Sequence, residues 1–393
     1  MNKVLFIVKG YYEGSNPNAI CSCRIADELS QNGIEVYYLS VEDKTPSTYN
    51  PKACHILFGG KRNAMFKKIL LYPLDDSELS NMICQAAISM IDKNDIDTVV
   101  SFVRPYAAGD ALKKIKHKRR SIKAVLFEID SASNRFKHPK AVGEYLANVK
   151  SLIWEAKLYK KVDLIINMNT HKKHYENKIF HAFREKMKYV GVPCMQDLTQ
   201  ICGKSINAQS EEKCFVYFGT FYSKLREPYI MLETLDMVFK RRKISLTIYG
   251  SNKNRPFYEK EVFHRNYIFI EGNVDHSTLL QNLGSFDVLL SIGNKDSDFL
   301  PSKTVECICS GKKVIHFYSS EDDPSLLYFN QYPNSLLLSE QEKPEKNADR
   351  IIEFLKTPLI PIKYSELEEK FYDTTPAYSA ETIISVSSPK IDQ

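Results

Sequence analysis

Two acidic residues in the C-terminal third of the sequence, Asp298 and Glu306, lie eight positions apart. Asp298 falls in a polar loop after the apolar run 289–292, and Glu306 falls in a short helical segment that stops at Gly311. The carboxyl end of a strand in an open α/β sheet is where such folds bind nucleotides. A carboxylate early in the next helix can accept hydrogen bonds from ribose hydroxyls, or it can simply complement the helix dipole. The segment points to a nucleotide-dependent enzyme, and both interpretations of Glu306 stay open.

A second candidate group follows the apolar run 215–218 and consists of Gly219, Thr220, Lys224 and Arg226. A glycine at the end of a strand lets a phosphate or another backbone approach closely. The two basic residues stand just before a helix expected to begin at Pro228, where the backbone already favours anions. Arginine suits phosphate because its planar fork donates two parallel hydrogen bonds. An ordinary strand-to-helix turn with solvated basic side chains explains the same residues.

Other polar groups give weaker signals. The loop 9–17 contains Gly10 and Gly14 but does not match the dinucleotide glycine pattern. Glu128 and Asp130 end an apolar run, where a carboxylate is placed for catalysis, although Asp130 equally suits a turn cap. Three histidines share one segment that we interpret as a surface helix, because no acid or cysteine completes a metal site there: His171, His174 and His181. We therefore predict no metal.

The composition limits the class of protein. A chain of 393 residues is too long for one core and suggests two domains. No apolar run approaches the roughly 20 residues that span a bilayer. The odd number of cysteines, nine, and the absence of a CxxC pair favour free thiols in a reducing compartment. We expect a cytoplasmic protein.

Two basic runs, 113–120 and 240–243, account for much of the clustered positive charge. Solvated ends of surface helices are the simpler explanation. The alternative for Lys113–Arg120 is contact with an anionic membrane surface at the inner face of the membrane, worth about 1 kcal/mol per basic residue. Neither run is interleaved with aromatic residues on a nucleic-acid-binding module, so we expect no nucleic-acid partner.

Strand-like runs alternate with helix-length segments along nearly the whole chain, which predicts parallel sheets covered by helices on both faces. Val190 to Pro193 ends the first series, and a polar stretch follows before the alternation restarts. The predicted boundaries are an N-terminal domain at 1–195, a linker at 196–213, a second domain at 214–364 and a tail at 365–393.

The segment Pro301-Ser302-Lys303-Thr304-Val305-Glu306, followed by Gly311-Lys312-Lys313-Val314-Ile315, resembles the C-terminal domain of GT-B glycosyltransferases. The similarity is greatest to the family-4-like enzymes of bacterial surface polysaccharide assembly, and it extends in order over nearly the whole chain. It implies an α/β fold with two Rossmann-like domains whose parallel sheets face a central cleft. The N-terminal domain at 1–195 would be on the acceptor side, and the C-terminal domain at 214–364 would bind the nucleotide-sugar donor. The tail from Ser365 would then return to the N-terminal domain.

The resemblance also implies roles for individual residues. Glu306 would hold the donor ribose, Lys224 and Arg226 the diphosphate, and backbone amides at 302–303 would add to the diphosphate site. The full set of implied donor-binding residues is Gly14, Gly219, Thr220, Lys224, Arg226, Gly250, Val274, Ser302, Lys303 and Glu306. Asp298 occupies the place of the family's first acid in its E-x7-E pattern. No histidine matches the family's acceptor-side base, so the candidate catalytic residues are Asp298, Asp130 and Glu128.

The implied activity is a hexosyltransferase-type transfer of a sugar from a UDP- or GDP-linked donor to a hydroxyl of a glycan or glycolipid acceptor. The nucleotide sugar would be a co-substrate, with no further cofactor. Two alternatives stay open. A nucleotide-sugar 2-epimerase of the same architecture would need a carboxylate and histidine cluster and no acceptor. A non-catalytic subunit would bind the nucleotide sugar without releasing the nucleotide.

Overall fold

The computed structural model of the protein describes residues 1–10, 17–42, 50–57, 72–73, 76–134, 139, 141–202, 211–250, 265–295 and 299–387. These residues form two compact units. The first contains the described residues up to Cys194 together with those from Asp373 onward, and the second spans Met195–Tyr372. Each unit is built around one parallel sheet.

The first unit has a seven-stranded sheet in the order β3-β2-β1-β4-β5-β6-β7. Its strands are β1 Lys3–Lys9, β2 Glu35–Glu42, β3 Ala53–Leu57, β4 Thr98–Val103, β5 Lys123–Glu128, β6 Leu164–Met168 and β7 Met187–Val190. Its helices up to this point are α1 Pro17–Gln31, α2 Ser77–Asn94, α3 Tyr106–Lys118 and α4 Val142–Tyr159.

The central strands of this sheet are apolar on both faces because both faces are covered. All six residues of β4 are buried, and so are the five residues of β6. Residues from α2, α3 and α4 share one core with alternate strand positions such as Leu5 and Ile7. Helix α2 is capped at both ends. The Asp76 side chain accepts a hydrogen bond from the Leu79 amide, and Asp95 adopts the left-handed conformation.

The second unit has a six-stranded sheet in the order β10-β9-β8-β11-β12-β13. Its strands are β8 Lys213–Phe218, β9 Ile244–Tyr249, β10 Ile268–Gly272, β11 Val288–Ile292, β12 Lys313–Tyr318 and β13 Ser335–Ser339. Its helices are α5 Thr199–Cys202, α6 Tyr229–Phe239, α7 His276–Leu283, α8 Ser302–Cys309, α9 Leu326–Phe329, α10 Pro344–Lys356 and α11 Tyr364–Lys370. The last helix of the chain, α12 Pro376–Ile384, belongs to the first unit and packs against α1.

The prediction of an α/β fold with two parallel sheets is confirmed. Some elements were missed, however. The short strands β7 and β13 carry no clear alternation, and each is recognised only by its parallel neighbour, β6 or β12. The three histidines do not share a helix, because residues 169–186 form separate 3-10 segments. His171 is buried rather than solvated.

The basic run Lys113–Arg120 ends helix α3 and is largely paired within the first unit. Lys113 and Lys114 contact Asp110 at 2.6 and 3.2 Å. Lys116 lies 2.8 Å from Asp163, and Arg119 donates twice to Asp92. These contacts account for most of the charge in the run and favour the simpler, structural explanation. None of the helices in the described ranges is long and apolar enough to cross a membrane.

Candidate functional site

The turn after β8 is shaped by a glycine. Gly219 has a φ of +154°, and its amide donates to the Tyr249 carbonyl at 2.8 Å. A Cβ atom at this position would lie 3.2 Å from both the Cε atom of Lys303 and the Tyr217 hydroxyl. Any other residue would strain the backbone and press on Lys303. Thr220 follows in a half-buried position.

The two basic residues beyond this turn have different environments. Lys224 is exposed and adopts a left-handed conformation with φ of 64°. Arg226 is half-buried, and its Nε and Nη2 atoms donate to the Asn294 side-chain oxygen at 3.1 and 2.7 Å. Asn294 in turn donates to the Phe299 carbonyl at 3.0 Å. Arg226 is therefore held in place by the loop after β11, whereas Lys224 is not held in the same way.

A cavity at the carboxyl edge of the second sheet brings Arg226 together with Lys303. The Lys303 ammonium also lies 4.7 Å from the centre of the Phe218 ring, in a cation–π contact. The lining residues come from β8, β11, α8 and the loops next to them: Tyr217, Phe218, Arg226, Leu290, Ser291, Ile292, Pro301, Lys303 and Cys307. Two cations from separate elements at one cavity make it a candidate site for an anion.

Helix α8 begins differently from the sequence-based expectation. Pro301, not Ser302, is the N-cap residue, and Ser302 is the first helical residue. Proline fixes the backbone at this position without offering a side-chain cap. From Thr304 to Cys309 every residue of the helix is buried. Glu306 therefore lies inside the unit, and a dipole-complementing role on the surface does not describe it.

The partner of Glu306 is a histidine that the sequence analysis missed. His276, the first residue of α7, has its Nε2 atom 3.0 Å from Glu306 Oε1. The Glu306 side chain is 7% exposed and that of His276 is 22% exposed. A buried carboxylate beside a partly open histidine can accept hydrogen bonds from a ligand's hydroxyl groups. His276 stands two residues after Val274, one of the donor-binding residues that the resemblance implies.

The remaining donor-side predictions are placed as follows. The Gly250 amide donates to the Gly272 carbonyl at 2.8 Å, so these glycines join the ends of β9 and β10. Val274 is half-buried. Gly14 and Asp298 lie outside the described residues. The loops and helices of the second unit thus supply six residues of the candidate site: Gly219, Arg226, His276, Asn294, Lys303 and Glu306.

The candidate acids of the first unit have contrasting environments. Asp130 is partly exposed, and its Oδ2 atom lies 3.5 Å from the Arg104 Nε atom. Glu128 has no exposed surface and accepts hydrogen bonds from the hydroxyls of Tyr159 and Tyr175. The geometry favours a structural role for Glu128, because its carboxylate faces the protein interior. Asp130 stays a catalytic prediction.

Comparison with known proteins relates the chain to glycosyltransferases at the level of structure. No protein-family profile and no curated protein sequence matches it. Sucrose-phosphate synthase from Thermosynechococcus elongatus aligns with a TM-score of 0.61 at 12% identity, over 98% of this chain and 95% of that one. An α-glucosyltransferase in complex with UDP and a DNA 13-mer gives 0.60 at 13%, over 98% and 99%. The lipopolysaccharide outer core galactosyltransferase WaaB gives 0.56 at 12%, over 98% of both chains.

These structures and the two parallel sheets together define the class. The chain has the GT-B glycosyltransferase fold, which confirms the fold that its resemblance to that class predicted. At these low sequence identities, the similarity establishes the fold alone.

The raised pKa of Glu128 can be tested through the pH dependence of the protein's stability. Burial and the neighbouring Glu155 raise the pKa of Glu128 well above its ordinary value. The folded chain then keeps this proton at pH values where the unfolded chain has lost it, so stability falls as pH rises above about 4.5. Glu128→Gln should make the urea midpoint less dependent on pH and raise it relative to wild type at neutral pH. Glu155, whose pKa burial also raises, should retain part of the dependence.

The matched control for this series is Glu176→Gln, an exposed residue of the same unit. It should leave the wild-type pH profile unchanged. A profile for Glu128→Gln that is as steep as that of wild type would show that Glu128 is ionised in the folded protein.

Proposed function

We propose that the protein is a glycosyltransferase that uses a nucleotide-diphosphate sugar bound at the carboxyl edge of its second sheet. The observation that carries this proposal is the cavity lined by both Arg226 and Lys303. The buried Glu306 lies on the helix that supplies Lys303. The two cations suit a diphosphate, and the carboxylate suits the hydroxyls of a ribose. The shared fold of WaaB and sucrose-phosphate synthase supports the same activity.

In the proposed reaction, the bond between the sugar's anomeric carbon and the diphosphate oxygen breaks while the oxygen of an acceptor hydroxyl bonds to that carbon. The proton of the hydroxyl passes to a carboxylate base. Negative charge then develops on the departing nucleotide diphosphate. Arg226 is already oriented by Asn294, so it can stabilise this charge with little reorganisation. Lys303 adds a second positive charge from helix α8. Asp298 and Asp130 remain the proposed catalytic carboxylates.

The finer parts of the proposal follow the sequence resemblance. We propose a UDP- or GDP-linked hexose as the donor and a hydroxyl of a glycan or glycolipid as the acceptor, in surface polysaccharide assembly. No other cofactor is needed for this transfer, since the leaving group is activated by its own diphosphate. A panel of UDP- and GDP-linked sugars therefore covers the proposed donor class.

Donor binding is tested by the shift in thermal unfolding that each sugar nucleotide produces. Glu306→Gln and Arg226→Met should each reduce affinity for the best nucleotide by about 1.5–3 kcal/mol, the worth of a hydrogen bond to a charged group. The matched controls are Glu353→Gln and Arg241→Met, since both residues are exposed on the same unit. Controls that lose the shift, or site variants that keep it, would place the nucleotide elsewhere.

Turnover separates the proposed activity from its rivals. A glycosyltransferase should release the nucleotide diphosphate only when a suitable acceptor is present, apart from slow hydrolysis. Conversion of the sugar nucleotide to its epimer without an acceptor would instead establish an epimerase. Tight binding with neither reaction across a panel of acceptors would favour a non-catalytic subunit.

A membrane contact is supported by helix α4 better than by the run Lys113–Arg120. The helix exposes five apolar side chains at helical spacing: Val142 79%, Tyr145 60%, Leu146 48%, Val149 36% and Ile153 46%. Its opposite face is buried in the first unit. Exposed lysines, Lys150 and Lys157, adjoin the stripe. An apolar stripe flanked by basic residues suits an anionic lipid surface, and we propose that this helix lies in the headgroup region.

Flotation with vesicles tests this contact. The full chain should float with phosphatidylcholine vesicles that contain an anionic lipid, and much less with phosphatidylcholine alone. Leu146→Ser with Ile153→Ser should abolish flotation, whereas Leu327→Ser, an exposed leucine of the second unit, should not. Failure of the wild type to float, or unchanged flotation of the double variant, would overturn the proposal without bearing on the donor site.

A further inference from the structure

A buried polar chain lies directly behind the proposed diphosphate cavity. Ser291 on β11 and His316 on β12 are paired residues of adjacent parallel strands. The Ser291 hydroxyl lies 3.0 Å from His316 Nδ1, and His316 Nε2 lies 3.1 Å from Asp323 Oδ2. The side chains of His316 and Asp323 are 0% and 1% exposed. Of these three hydrogen-bonded residues, Ser291 lines the cavity together with Arg226 and Lys303.

The Asp323 end of this polar series is linked to segments that carry the cavity. Asp323 Oδ1 accepts from the Ser325 amide at 2.8 Å, and the Ser325 hydroxyl lies 3.1 Å from that of Thr304, the neighbour of Lys303. Asp323 Oδ2 also occupies the space beside Gly293, where a Cβ atom would come within 1.6 Å of it. Gly293 precedes Asn294, which orients Arg226. The buried histidine is therefore part of the cavity's own framework.

The hydrogen-bond partners of His316 fix the tautomer of its neutral ring. The Asp323 carboxylate only accepts, so His316 must donate through Nε2. A neutral His316 then has a lone pair on Nδ1, and the Ser291 hydroxyl donates to it. In that arrangement the Ser291 hydrogen points to the histidine and not into the cavity.

We propose that Ser291 is a third hydrogen-bond donor to the phosphate groups in this cavity, and that His316 takes up a proton when the anion binds. The inference rests on the proposed function, since it assigns a further residue to the same diphosphate site. Once the Ser291 hydrogen turns to a phosphate oxygen, its own oxygen can accept from His316 Nδ1. His316 then donates from both nitrogens, as an imidazolium held by Asp323, with the extra proton drawn from solvent.

The surrounding charges are consistent with a cation at this position. Asp323 is in direct contact, and Glu340, after β13, contributes a more distant negative charge that also pairs with Lys295 at 3.5 Å. Arg226 and Lys303 line the same cavity, and their charges oppose a histidine cation when no anion is bound. A bound anion screens them. Anion binding and protonation of His316 should therefore favour each other.

Calorimetry of inorganic pyrophosphate binding to the full chain tests the inference. Titrations in two buffers with different ionisation enthalpies give the number of protons taken up, and repeating them at several pH values gives the affinity profile. Wild type should take up a fraction of a proton and bind more weakly as pH rises, by up to about tenfold per pH unit. Ser291→Ala should bind roughly tenfold more weakly and lose the protein's share of the proton uptake.

Comparison among variants separates this inference from the proposed function. His316→Gln should remove the same proton uptake, while Ser245→Ala, a serine in the amino half of β9, should behave as wild type. Pyrophosphate's own titration is common to every variant and cancels. Binding that needs Arg226 but shows equal proton uptake in wild type, Ser291→Ala and His316→Gln would overturn the inference and leave the anion site standing. Binding indifferent to Arg226→Met would overturn both.

Discussion

The parallel pairing of β8 with β11 is the constraint on which the second unit's site depends. Val288, Leu289 and Leu290 of β11 lie beside 215–217 of β8, although about seventy residues separate them in the chain. The strand order reverses at this pair, so the loops after the two strands diverge to opposite sides and leave space between them. Arg226 approaches that space from one loop and Asn294 from the other. Arg226 is oriented only when both loops are in place, because its partner Asn294 lies on the other loop.

Two carboxylates near this space are taken out of water, which is costly unless each one has a hydrogen-bonding partner. Glu306 is paired with His276, and Asp323 with His316. Replacing such pairs by apolar side chains is often neutral or stabilising in proteins. Their presence at the carboxyl edge of the sheet therefore suits the ligand binding that we propose there. The interior of the first unit differs, because burial raises the pKa of Glu128 well above its ordinary value and its hydrogen-bond partners are tyrosine hydroxyls.

Much of the fold could be predicted from the sequence, since apolar runs and glycine stops are local signals. The parallel sheets, and the placement of Gly219 and Glu306 at the end of a strand and on a helix, followed from them. The contacts that position the site could not be predicted in the same way. Ser291 and His316 meet only because two strands pair in register, and periodicity gives no sign of register between strands. The pairing of Lys116 with Asp163 and of Arg119 with Asp92 was hidden as well, because it depends on how separate elements pack.

We propose that the cavity lined by Arg226 and Lys303 holds the diphosphate of a nucleotide. The decisive experiment is a crystal structure of the full chain soaked with UDP, and with GDP in a second crystal. We expect phosphate oxygens within hydrogen-bond distance of Arg226 and Lys303 and ribose hydroxyls on the Glu306 carboxylate. A nucleotide bound at full occupancy away from these three side chains would contradict it.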